Sequence, residues 1–195
     1  MPRSNSGPTV AQTWHMSRRN YTSGPRTPKP LDADALNQLA LAYLGRYATT
    51  RAKLRYYLVR KLASRGWEGE AEPPIDAIVE RCAELGYVDD AGFAVARGAA
   101  LTRRGFGEQR VAAALRAVGI DADTAAPVRE TARAEALDAA LRFARRKRIG
   151  PFAQEIADPD QRRRNLAALM RAGHSLDLAR RIVSASPGAF LTDDE

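Results

Sequence analysis

A single cysteine rules out an internal disulfide. Cys82 falls in the apolar stripe of a helical pattern, which reads as a small buried hydrophobe rather than a nucleophile. Aromatic residues make up only 7% of the chain and β-branched runs are scarce, which argues against a sheet protein. No apolar stretch approaches the roughly 18 residues of a membrane span, and the N-terminus lacks the apolar segment of a signal peptide. The expected setting is soluble, reducing and cytoplasmic. Motifs that carry chemistry are missing too: there is no serine elbow, phosphate loop or zinc spacing. Gly105-Phe106-Gly107 lacks the third glycine of a dinucleotide loop, because Arg110 stands there, and no strand precedes it. Asp89 and Asp90 are adjacent on a helix and do not face one way. His174 follows a helix-ending glycine with no cysteine or carboxylate at ligand spacing, so it reads as a capping or surface residue. The chain is expected to be no enzyme, with no cofactor, metal, membrane or small-molecule substrate.

Acidic residues are absent from residues 1–30, which hold Arg3, Arg18, Arg19, Arg26 and Lys29. That segment therefore supplies +5 of the formal +8, leaving +3 for the rest. With five prolines and no helical or strand period it cannot bury enough surface to offset its ordering entropy, and it reads as a disordered basic arm. Trp14, His15 and Tyr21 within it are of types able to stack on a base or dock on a partner, but the preferred reading is an unstructured leader. A basic arm adds salt-sensitive attraction to a polyanion without specifying one.

What is present is a phrase said three times. Leu62-Ala63-Ser64-Arg65-Gly66, Leu115-Arg116-Ala117-Val118-Gly119 and Leu169-Met170-Arg171-Ala172-Gly173 place their glycines 53 and 54 positions apart. Nine residues beyond each glycine stands a β-branched apolar residue: Ile75, Val128 and Ile182. Each block reads as a helix stopped by a glycine C-cap and a further helix beyond it. Hydrophobic residues at 45%, alanine the commonest of them, supply a core for such stacked units. The pattern predicts an all-α chain of three tandem three-helix repeats in an elongated, curved, solenoid-like array.

The first repeat is expected over residues 31–88. Asp32 or Asp34 caps a helix with stripe Leu36, Leu39, Ala40, Tyr43, Leu44, and Thr49 caps the next with Leu54, Tyr57, Leu58, Leu62 inward. Pro73-Pro74 opens a third with Ile75, Ile78, Val79, Cys82, Leu85. The second repeat, 89–131, starts at Asp89-Asp90 with Phe93, Ala96, Ala100 and Leu101 inward. After the turn Arg103–Gly107, Val111, Ala112, Leu115 and Val118 form the next stripe, and a short helix follows from Asp121 or Asp123 through Val128. The third repeat, 132–186, buries Leu137, Ala140, Leu141 and Ala144, then Leu166, Leu169 and Met170, then Leu176, Ala179, Ile182 and Val183. Residues 187–195 read as an acidic tail.

These residues resemble a known family. Leu44-Gly45-Arg46-Tyr47-Ala48-Thr49-Thr50-Arg51-Ala52-Lys53-Leu54 with Leu58 is similar to the first-repeat signature of the RecX regulatory proteins. Leu85-Gly86-Tyr87-Val88-Asp89-Asp90 with Phe93-Ala94 resembles that family's junction between repeats one and two. Arg104-Gly105-Phe106-Gly107 with Arg110-Val111, Leu115 and Gly119-Ile120 resembles its second-repeat helix. The likeness covers roughly residues 35–184 and is loosest in the third repeat; Lys53 stands where the family often has an acid. The resemblance implies a regulator that lies along the RecA–DNA filament, in most members restraining its extension, ATPase and strand exchange.

The residues themselves agree with a contact function. Arg60, Lys61, Arg103, Arg104, Arg110, Arg116, Arg145 and Arg146 fall on turns and outward faces in all three units, as do Arg162 to Arg164. A shared positive face suits either an acidic protein surface or the phosphates of single- or double-stranded DNA. Alternative functions are a helical nucleic-acid-binding protein acting without RecA and a general interaction scaffold.

Overall fold

The computed structural model describes residues 29–192. Residues 1–28, with Trp14, His15 and Tyr21, lie outside the described residues, as do residues 193–195 of the tail. The chain is all-helical: among the described residues the one β-type contact is an isolated bridge between Leu31 and Trp67. Among the described residues nine α-helices follow in order: α1 Ala33–Leu44, α2 Arg51–Arg65, α3 Ile75–Glu84, α4 Asp90–Arg103, α5 Glu108–Arg116, α6 Ala122–Ala134, α7 Ala136–Lys147, α8 Pro159–Arg171 and α9 Leu176–Ser184.

The apolar stripes gather these helices into three cores, not one. Leu36, Ala40, Leu54, Leu58, Ile78 and Val79 are buried together from α1 to α3. Ala94, Leu101, Val111, Leu115, Ala125 and Val128 do the same from α4 to α6. Ala140, Phe143, Ala144, Leu169, Ala179 and Ile182 form the third, from α7 to α9. Phe106, half-buried in the α4–α5 turn, packs against both the second and third cores.

Side-chain caps set most helix starts. Asp32, Asp89, Asp121, Asp158 and Ser175 each accept from the amide three residues on, satisfying a donor that no helical carbonyl reaches. Several expectations are corrected. Thr50, not Thr49, caps α2, accepting from the Lys53 amide at 3.2 Å. Leu85, Ala96 and Met170 are exposed: Cys82 and Leu169 are buried as expected, but their stripe neighbours Leu85 and Met170 are not, and α4 turns Ala94 inward in place of Ala96. Helix α6 runs through 131–132, where a break is expected, since nothing there disrupts it, and ends at Ala134. The beginning of the C-terminal tail folds back: the Gly188 amide donates to the Pro151 carbonyl (2.9 Å) and Leu191 packs on the third core.

Successive units meet by one repeated joint. The second helix of a unit starts against the glycine turn that ends the second helix of the next. At the first joint the Thr50 hydroxyl donates to the Val118 carbonyl at 2.6 Å, and the Arg51 amide donates to Asp90 Oδ1 at 3.0 Å. A Cβ on Gly119 would overlap that of Ala52. At the second joint the Gly107 amide donates to the Ala172 carbonyl (2.9 Å) and the Gln109 amide to that of Gly173 (3.2 Å). The unpaired amides at the start of α5 thus meet the unpaired carbonyls at the end of α8, positive end to negative end. Gly173, at φ +93°, lies so close to the Arg110 backbone that a Cβ would overlap it. At the first unit's own turn the place is taken by Leu31, whose amide donates to the Gly66 carbonyl and whose carbonyl accepts from the Glu68 amide, both at 2.9 Å.

Leu115→Ala is expected to cost about 2–5 kcal/mol, because Leu115 is fully buried in the second core and its loss leaves a cavity. Urea unfolding of the variant beside the parent chain measures it; a cost under about 1 kcal/mol contradicts this packing.

Candidate functional site

The turn Arg104-Gly105-Phe106-Gly107 sits at the second joint and organises the surface around it. Gly105, at φ +81°, lets the turn press on α7, where a Cβ would meet the Phe143 amide nitrogen at 2.8 Å. That approach brings α7 alongside α4, and the Arg146 guanidinium donates to the Arg104 carbonyl at 2.8 Å. Arg104 and Arg110 lie over the one Phe106 ring, their Cζ atoms 5.4 and 6.0 Å from its centroid. Arg146 lies over Phe143 at 5.3 Å and Arg145 over Phe152 at 4.9 Å. Three guanidiniums, from the α4–α5 turn, α5 and α7, are therefore held beside two rings, each contact contributing about 0.5–1 kcal/mol at an exposed site.

All eight cations named from the sequence are at least partly exposed, and among the described residues none has a carboxylate within 4.0 Å. Six of the eight lie over an aromatic ring, Arg60 on Tyr56 and Lys61 on Tyr57 completing the set. The structure gathers Arg104, Arg110 and Arg146. It does not bring Arg103 or Arg116 to them: Arg103 lines a groove between α4 and α6 with Val95, Thr131 and Glu135, and Arg116 lies six residues beyond Arg110, about 240° around α5. Other cations are neutralised. Arg129 and Arg133 of α6 both donate to Glu108, at 2.9 and 3.0 Å. Burial pushes the Glu108 carboxyl up, but the hydrogen bonds and charge of Arg133 and Arg129 outweigh it and hold the group below the ordinary carboxylate range.

Sequence reasoning missed the rings beneath the cations and the histidine behind them. The i, i+4 spacing of Tyr56 with Arg60 and of Tyr57 with Lys61 is a usable signal; Phe152 under Arg145 gives none. His174 is corrected outright, for it is buried at 3% exposure and faces the joint. Its Nε2 pairs with the Gly105 carbonyl at 3.1 Å, and the ring meets Phe143 edge-on at 6.0 Å. A carbonyl partner requires Nε2 to carry the proton. Nδ1 has no partner.

Among the described residues no group of histidine, cysteine and carboxylate side chains is arranged to hold a metal ion, and no helix is long and apolar enough to cross a membrane. No protein-family model matches the chain. A "Regulatory protein RecX" of Myxococcus xanthus is 33% identical over 172 residues, covering 84% of this chain and 92% of that one. The chain belongs to the RecX family. A RecX regulatory protein of Deinococcus radiodurans is 34% identical over 131 residues, covering 62% of this chain and 59% of its own. The fold of the family is also this fold: the crystal structure of RecX from Lactobacillus salivarius superposes with a TM-score of 0.61 at 18% identity, over 77% of this chain and 94% of that one. A second RecX crystal structure gives 0.57 at 19% identity, over 77% and 72%.

Burial lowers the His174 pKa below its ordinary 6.5, the Gly105 carbonyl opposing only in part. Between the folded and unfolded values the unfolded chain binds more protons, so this contribution is fully present above about pH 6.5 and is lost as pH falls through the folded value. Denaturation midpoints are expected to drop between about pH 7.5 and about pH 5.5, and to drop less in His174→Gln, which keeps a donor for Gly105. Equal pH dependence in the two chains contradicts a neutral, buried His174.

Proposed function

We propose that this RecX-family chain lies along a RecA–DNA filament and restrains its extension, ATPase and strand exchange, acting by contact and performing no reaction of its own. Family membership supports the reading, and one observation carries it: a set of exposed cations without carboxylate partners, three of them gathered at the joint between the second and third units. Each like charge brought near another costs free energy that no acid among the described residues offsets at the site. An acidic protein surface or a phosphate row supplies the missing counter-charge. Aromatic rings beneath the guanidiniums hold them extended and reduce the side-chain entropy lost on binding. The end-to-end succession of units suits a long helical partner better than a small one.

RecA ATPase on single-stranded DNA, measured with and without the full chain, tests it. A rate that falls as the chain approaches stoichiometry with RecA is expected; an unchanged rate overturns the reading. Arg104→Glu with Arg110→Glu is expected to weaken that inhibition at least tenfold while circular dichroism stays at the parent value. Arg103→Glu, on the α4–α6 groove, is expected to weaken it less. The reverse order would move the contact face to the groove.

A further inference from the structure

The first unit has a composition that neither its core nor the joint explains. Between Ala35 and Trp67 there is no carboxylate, while seven cations run from Arg46 to Arg65. Helix α2 even begins on Arg51 and Lys53, where its own dipole disfavours positive charge. Helix α3 answers two of the seven, pairing Glu80 with Arg51 at 3.0 Å and Asp76 with Arg55 at 2.5 Å. Arg46, Lys53, Arg60, Lys61 and Arg65 have no carboxylate within 4.0 Å among the described residues.

Into this stretch the chain places four of its six tyrosines, Tyr43, Tyr47, Tyr56 and Tyr57. Tyr43 and Tyr57 stack, centroids 4.3 Å apart and planes 19° apart, and both pack on the first core. Tyr47 does not belong to that core. It stands in the α1–α2 turn, 57% exposed, tilted against Tyr43 at 5.2 Å. The three rings line an open notch of about 590 Å³ with Leu39, Ala42 and Arg46. Lys61 of α2 lies over one of the three lining rings, its Nζ 5.5 Å from the Tyr57 centroid. Tyr56 and Arg60 repeat the ring–cation pairing one position back along the helix.

We propose that this notch is a stacking site for single-stranded nucleic acid, a base lying against Tyr47 and the flanking phosphates against Arg46 and Lys61. The rings offer what an unpaired base needs and a duplex cannot use, since stacking requires an open base face. The cations offer what the backbone needs, and no carboxylate of the stretch repels it. An acidic protein surface would use the charges but leave the exposed ring idle. The site needs no RecA and stands or falls apart from the filament reading.

Fluorescence anisotropy of a labelled oligo(dT) with the full-length chain, in the absence of RecA, tests the proposal. The single strand is expected to bind more tightly than a duplex of equal length. Tyr47→Ala is expected to weaken single-strand binding at least fivefold with unchanged helicity, and Tyr47→Phe to retain it. Arg46→Ala with Lys61→Ala is expected to lower the slope of log affinity against log salt by roughly 1.4, two phosphate contacts being worth about 0.7 each. Parent-like binding by Tyr47→Ala, duplex bound as tightly as single strand, or no binding by the parent chain each overturns the stacking site; the last leaves a protein partner as the occupant of this face.

Discussion

Amides at the start of one helix meeting carbonyls at the end of another constitute the contact on which this molecule depends. An α-helix leaves its first four donors and last four acceptors unpaired, and a three-helix unit of about fifty residues has little core of its own with which to offset them. Here the ends answer one another. Gly107 and Gln109 give their protons to Ala172 and Gly173, and the Thr50 hydroxyl gives its proton to Val118. The pairing demands backbone-to-backbone approach, which is why Gly119 and Gly173 stand where a Cβ would strike Ala52 or Arg110. The periodic glycine is therefore a property of the seam between units as much as of the helix it ends. Gly66 shows the same logic at the edge of the array, where Leu31 fills the place of a preceding unit with the same kind of bond.

Joining units at helix ends leaves the long faces of the helices uncovered, and charge is distributed on them by two different rules. Inside a unit, ion pairs bind neighbouring helices: Arg51 and Arg55 of α2 to Glu80 and Asp76 of α3, and Arg129 and Arg133 of α6 to Glu108 of α5. These exposed or half-exposed pairs contribute little each, but they take four cations out of consideration for any partner. Seven other cations are placed on rings instead. A ring orders a guanidinium without neutralising it, so Arg104, Arg110 and Arg146 are held in position with their charge intact.

Fold class was legible because three independent periodicities agreed: the apolar stripe within each helix, the glycine that stops it, and the spacing at which the phrase recurs. Leu54, Leu58, Val111, Leu115 and Leu169, each read from its stripe, are all buried. Errors gather where the stripe is made of alanine. Helix α4 offers alanines on several faces, so the choice of Ala94 over Ala96 is set by packing against α6, where Gly98 makes room for Val128. The cap at Thr50 was missed by one residue because Thr49 and Thr50 are the same side chain, and only the carbonyl of Val118, 68 positions on, distinguishes them. For the same reason His174 looked like a surface residue: its burial is imposed by Gly105 and Phe143, both brought there by the joint. The eight exposed cations could be named from their positions on turns, but which three converge could not, since convergence depends on how α4, α5 and α7 meet.

That convergence ties surface and seam together. Within four consecutive residues the chain presents a cation to solvent with Arg104, admits α7 through Gly105, bridges two cores with Phe106 and hydrogen-bonds the next unit through Gly107. Arg146, from the third unit, closes the set by donating to the carbonyl of Arg104. An anion held by Arg104 and Arg146 at once therefore spans the second and third units. By linkage, whatever it gains from their proximity it returns as stability of the joint. The same reciprocity places His174 in the balance. A proton on its ring adds a buried charge directly behind Phe143 and weakens the seam that keeps the guanidiniums together, so the convergence of the guanidiniums and the neutrality of this histidine are two readings of one packed interface.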